Sequence, residues 1–178
     1  MNILTGLEAV PEIMHECILT ENNPDGILHD VEQIITTNNN ENGVNEPCIW
    51  INQHPTIVAP NSKTTLSNDI KLLTPFEFVC IVYDPDAEIS ERKGQNLASR
   101  VVLAILKNYQ RIQKELGYGE RVIHDLQFFM FYPAGDVQIL GKSEKVPATS
   151  ITLNVLHYID WLNCCKRMIK EENENNGD

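Results

Sequence analysis

Two aspartates flanking a proline, Asp84-Pro85-Asp86, follow directly on the apolar stretch "LLTPFEFVCIVY". Carboxylates at this spacing after a strand can hold a divalent cation through their oxygens. That chemistry belongs to metal-dependent enzymes acting on phosphate-bearing substrates, and Glu88 and Glu91 stand near enough to add a ligand. No glycine-rich phosphate loop accompanies them. The same residues also serve as punctuation. Aspartates and a proline end a strand, and Asp86 or Ser90 can cap the helix that follows. Acidic residues in a first turn suit the positive end of the helix dipole. Punctuation accounts for more of the residues, so the expectation is a turn and a cap, with no catalytic, cofactor-binding or metal-ligating residues.

Cysteine and histidine offer little more. The five cysteines are Cys17, Cys48, Cys80, Cys164 and Cys165, with no CxxC among them. An odd count with an adjacent pair is no secreted disulfide framework. It implies a reducing compartment and mostly buried thiols. His15 and Cys17 are two apart on a predicted helix and so diverge. His157 stands on a strand face whose other members are apolar, as a half-buried structural histidine would. Zinc sites use paired ligands at short regular spacing, which is missing here. No GxSxG elbow or cysteine signature marks a nucleophile.

The totals bound the partners. The chain has 178 residues and a formal charge of −11. That length suggests one domain with appendages, long enough to bury a core. The charge repels phosphate and anionic lipid, which argues against broad nucleic-acid or membrane binding. No apolar run approaches a bilayer span. The start "MNILTGLEAVPEIMHE" lacks the basic-then-apolar order of a secretion signal.

Elements must position all of this. Leu7, Val10, Met14, Cys17 and Ile18 recur at helical spacing, with Thr5 and Glu8 as a capping box or Pro11 as the first helical residue. "PDGILHDVEQIITT" reads as a second helix, so residues 1–37 form a helical segment. Residues 38–46, "NNNENGVNE", hold little to bury and read as a mobile loop. An α+β domain follows over 47–165, with a polar tail over 166–178. "CIWIN" and "PTIVAP" read as strands, or as one bent strand broken at His54-Pro55. In the next strand Phe76, Phe78, Cys80 and Val82 share one face, and Glu77, Val79, Ile81 and Tyr83 the other. Both faces are largely apolar, as in a central strand. A long helix carries Leu97, Val101, Ile105, Tyr109, Ile112 and Leu116 on its stripe, widened by Ala98, Val102 and Leu106. Its cations Arg92, Lys93, Arg100, Lys107, Arg111 and Lys114 form a basic face, either merely solvated or open to an acidic neighbour. "RVIHDLQFFMFYPAGDVQILGK" reads as a hairpin turning at "YPAGD", and "ATSITLNVLHYIDWL" as a long final strand. The predicted class is α+β: a mostly antiparallel sheet packed against one long helix, with additional N-terminal helices. Apolar strands leave edges that need covering, which points to work done by surfaces.

This order resembles the tail terminator (tail completion) proteins of long-tailed bacterial viruses. The resemblance runs over roughly residues 25–162 and rests on pattern. Strands like "PCIWINQHPTIVAP" and "TPFEFVCIVYDPD" lead to a helix like "NLASRVVLAILKNY", then to strands like "FFMFYPAGDVQILG" and "SITLNVLHYIDW". The N-terminal helix at 5–20 and the asparagine-rich loop depart from it. The resemblance implies a structural virion protein of the phage tail. It would form a homo-oligomeric ring, a hexamer, at the head-proximal end, ending tube polymerisation and meeting tail-tube and neck or head-completion proteins. It implies no catalytic residues, and a location in the virion after assembly in the host cytoplasm. DNA would pass through an acidic lumen without specific binding. Two other functions compete: a small acidic inhibitor module, immunity- or antitoxin-like, masking a basic partner, and a metal-dependent enzyme using Asp84 and Asp86.

Overall fold

A computed structural model describes residues 6–36, 43–59, 69–116, 122–143 and 145–160. Helix α1 (Gly6–Glu21) comes first, then strands β1 (Gln33–Ile35), β2 (Cys48–Gln53), β3 (Ile57–Val58) and β4 (Asp69–Ile81). Helix α2 (Ala87–Glu115) precedes strands β5 (Ile123–Gln138) and β6 (Lys145–Asp160). The strands form one sheet in the order β1-β2-β4-β6-β5, with β3 also paired to β4. Only β1 with β2 is parallel among the named pairings. The class is α+β.

Strand β4 is central, as its two apolar faces require. It pairs with β6 from Asp69↔Asp160 to Cys80↔Thr149. Its other flank takes both β2 and β3, with Gln53 opposite Phe76 and Ile57 opposite Leu73. The two short strands therefore act as one, interrupted at His54-Pro55. The even face of β4 packs under the helices: Phe76, Phe78 and Cys80 join Val10, Ile13, Met14, Leu97, Val101, Ile105, Leu153 and Val155 in one buried cluster. The odd face holds a smaller cluster of Ile35, Val44, Cys48, Val79, Ile81, Ile139, Val146 and Ala148.

The helices follow their apolar stripes, with exceptions. α1 runs through Pro11, which neither starts it nor ends it. Thr5 and Trp161, like Cys164, Cys165 and the polar tail, lie outside the described residues. On α2 the sheet and α1 cover Leu97, Val101, Ile105 and Ile112, but Leu106 falls beyond that arc and is 49% exposed.

Three expectations need correction. The second N-terminal helix does not form. Residues 22–30 are turns, and Gln33–Ile35 is strand. Asn23 Oδ1 accepts from Asp25 N, and Leu28 N donates to Glu21 O at 2.9 Å, which folds the chain back on α1. Leu28 and Val31 reach the core from turns, so spacing that suits a helix is met by another route. The segment "YPAGD" does not reverse the chain. Pro133 and Gly135 lie inside β5 at a register shift, where Gly135 supplies a φ of +87°. β5 is an edge strand, which tolerates a proline and a bulge. The reversal comes at Gly141 (φ +75°), between β5 and β6. Nor is all of the asparagine-rich loop loose. Its residues 38–42 lie outside the described residues, but Val44 is 1% exposed. Val44 N donates to Gln138 O at 3.1 Å, and Val44 O accepts from Leu140 N at 2.9 Å. This contact ties the β1–β2 connection to the far end of β5, so the sheet curls and closes over its odd face at that end.

Two glycines mark close approaches. A Cβ on Gly26 would sit 2.1 Å from the Glu21 carbonyl oxygen, and one on Gly94 would sit 3.0 Å from Thr149 Oγ1. The first wall is backbone; the second is a side chain. Gly26→Ala is expected to destabilise by about 2 kcal/mol or more. Gly94→Ala should stay within about 1 kcal/mol of wild type, since the gain in helix propensity offsets the crowding. Urea denaturation of both variants checks the contrast.

Candidate functional site

Asp84 and Asp86 sit where β4 ends and α2 begins, and each is engaged. Asp86 is the N-cap: its Oδ1 accepts from Glu88 N at 2.9 Å and Ile89 N at 3.3 Å. Asp84 Oδ1 accepts from Asp86 N at 3.1 Å, and its Oδ2 receives Lys93 Nζ at 2.7 Å. The Lys93 ammonium and the Asp86 amide hold Asp84 below the usual carboxylate range. Ser90 points inward, its hydroxyl donating to Val82 O. Glu88 pairs with Arg92 on the helix surface. Among the described residues no group of three His, Cys, Asp or Glu side chains is placed to share a metal ion.

The basic face of α2 is largely neutralised from within. Lys93 pairs with Asp84, and Arg111 with Glu115. Arg100 holds Asp30 through both guanidinium arms, at 2.5 and 3.1 Å, and donates to Ile27 O. Lys107 reaches Glu21 Oε1 at 2.9 Å. Glu21, 3% exposed, also accepts from Asn108 Nδ2 at 2.7 Å and from Ile27 N. Burial alone would raise its pKa, but the hydrogen bonds from Asn108, Lys107 and Ile27 outweigh that and lower it. Arg100 and Lys107 fasten α2 to α1 and to the turns after it.

Cys17, Cys48 and Cys80 are buried free thiols. Burial pushes Cys17 and Cys48 up to about 12 and Cys80 further in the same direction, so all three stay protonated at neutral pH. His157 is fully buried rather than half-buried, on the face of β6 that carries Ile151, Leu153 and Val155 into the core. Its Nε2 lies 2.8 Å from Thr74 Oγ1, which in turn lies 2.7 Å from Thr56 Oγ1. Its Nδ1 is buried without a partner. Burial lowers its pKa to about 4.

The polar cluster that the structure does assemble is centred on Glu77, on the odd face of β4. Tyr132 OH and Ser150 Oγ each donate to Glu77 Oε1 at 2.7 Å, and Asn52 Nδ2 donates to Oε2 at 3.3 Å. His54 Nε2 stands 3.8 Å from Oε2. Burial would raise the Glu77 pKa, but the bonds from Ser150, Tyr132 and Asn52 win and lower it. Strand alternation places Glu77 on this face, yet its partners come from β2, β5 and β6. Their convergence depends on register between strands, which spacing along the chain does not reveal. Around Glu77 the face is part-exposed: Leu73 and Pro75 on β4, and Thr152, Asn154, Leu156 and Tyr158 on β6. Leu73 and Leu156 are register partners and belong to neither buried cluster.

A scan against models of known families finds no match for the chain, and a search of curated proteins finds none.

Replacing Asp86 with alanine removes a cap, at an expected cost of about 1 kcal/mol. Millimolar Mg²⁺ or Mn²⁺ should shift the melting temperatures of wild type, Asp84→Ala and Asp86→Ala alike. A rise confined to wild type would restore the metal reading. For His157, the unfolded chain takes up a proton near 6.5 and the folded chain only near 4. Stability should therefore fall as pH drops from 6.5 to 4, by on the order of 3 kcal/mol. His157→Gln should flatten that part of the stability–pH curve in chemical denaturation.

Proposed function

We propose that this chain is a structural assembly protein of the tail-terminator kind. It forms a homo-oligomeric ring, a hexamer by the resemblance, at the head-proximal end of a phage tail. There it ends tube polymerisation and joins the tail to the neck. It works in the virion after assembly in the host cytoplasm, by surface fit and without a reaction.

The observation that carries the reading is the apolar surface left on both layers. Leu103 is 57% exposed and Leu106 49% on the outside of α2, and Ile57 and Val58 of β3 are more than half exposed. A monomer has little use for large apolar side chains this exposed, whereas a subunit buries them against neighbours. The α+β layering matches the pattern on which the resemblance rests. Asp86 caps α2 and Asp84 pairs with Lys93, roles that belong to the fold.

Light scattering and negative-stain imaging of the purified chain test the proposal, alone and after mixing with tail tubes lacking their ends. Rings in solution, or densities confined to one end of each tube, are the expected result. A stable monomer that ignores tube ends and takes up one basic protein partner would favour the inhibitor reading.

A further inference from the structure

We propose that the tip of the β5–β6 hairpin, residues 139–142, is a flap that Lys142 latches shut, and that its release uncovers the apolar cluster on the odd face of β4. The device belongs to the closed end of the sheet and operates whether or not the chain forms a ring.

The pairing of β5 with β6 stops at Gln138↔Lys145, so the tip runs on past the ladder. What holds it down is the connection between β1 and β2. Val44 N donates to Gln138 O and Val44 O accepts from Leu140 N, an isolated bridge of two bonds. Val44 and Ile139 are buried there with Ile35, Cys48, Ile81 and Val146, whereas Leu140 stays exposed.

Lys142 supplies a further tie. Its Nζ sits 3.4 Å from the centre of the Tyr83 ring and 3.6 Å from Glu46 Oε1. Glu46 Oε2 in turn accepts from Tyr83 N at 3.3 Å. Ammonium, ring and carboxylate thus draw together the hairpin tip, the end of β4 and the β1–β2 connection. The ring face and the carboxylate both attract the cation. The lysine side chain is 36% exposed, so the tie is of modest strength and can be released while the rest of the sheet stays folded. A glycine precedes each half of the contact. Gly43 precedes Val44 with a φ of +93°, and Gly141 precedes Lys142 with a φ of +75°. A Cβ at Gly141 would meet nothing within 4 Å among the described residues, which suits a hinge. One at Gly43 would sit 2.9 Å from Gln138 O, so the two segments close only because that side chain is missing.

The buried thiols report on the two sides of the sheet separately. Cys48 lies in the cluster under the flap, and Cys17 and Cys80 lie in the cluster under the helices. Labelling the native chain with N-ethylmaleimide, followed thiol by thiol by peptide mass spectrometry, tests the proposal. Opening of the flap should label Cys48 at least about tenfold faster than Cys17 and Cys80. Lys142→Met keeps the side-chain length and removes the charge. It should speed Cys48 about fivefold and leave the other two at their wild-type rates, while Lys142→Arg should stay near wild type. Gly43→Ala should speed Cys48 more than Lys142→Met does. Three thiols that react at one common rate, or a Cys48 rate indifferent to Lys142→Met, would overturn the inference. Lys142 is exposed, so its variant decides the matter alone if Gly43→Ala does not fold.

Discussion

A central strand with two apolar faces has to be covered twice, and among the described residues helices cover one face. Strand β4 lies between β2 and β6 and buries Phe76, Phe78 and Cys80 beneath α1 and α2. Its other face is closed at one end by the curl of the sheet, where Val44 meets the end of β5. The remainder is left to Glu77, its hydrogen-bonding neighbours and a few half-exposed apolar residues. Much else about the molecule follows from that imbalance.

The charged residues serve the same architecture. Cations in α2 look from sequence like a basic surface, but Arg100 and Lys107 reach carboxylates on α1 and the turns after it and fasten the helix layer together, while Lys93 holds Asp84 in the link before α2. Glu21 stands at the junction, receiving Lys107, Asn108 and the amide of Ile27 while its own carbonyl accepts from Leu28. A buried carboxylate with this many donors remains ionised and fixes the direction in which the chain leaves α1. The edge strand β5 carries three register shifts and a proline, devices that discourage indiscriminate edge pairing.

What reading the residues in order determined was local. Alternation located β4 and β6 and assigned their faces, and helical spacing located α1 and α2. The run Asp84-Pro85-Asp86 was legible as a strand end and a cap because capping acts over two or three residues. Tertiary structure decided whatever required distant segments to meet. The stretch 24–37 has a helix's apolar spacing, but its amides found Glu21 and Pro47 carbonyls and its end paired with β2. Pro133 and Gly135 have a turn's chemistry, yet long pairing with β6 outweighed it and left a bulge. The Glu77 cluster draws on four strands, and only their mutual register brings Asn52, Tyr132 and Ser150 to one carboxylate. Short-range sterics and periodicity are written in consecutive residues; register and the choice between competing hydrogen-bond partners are settled by burial across the whole sheet.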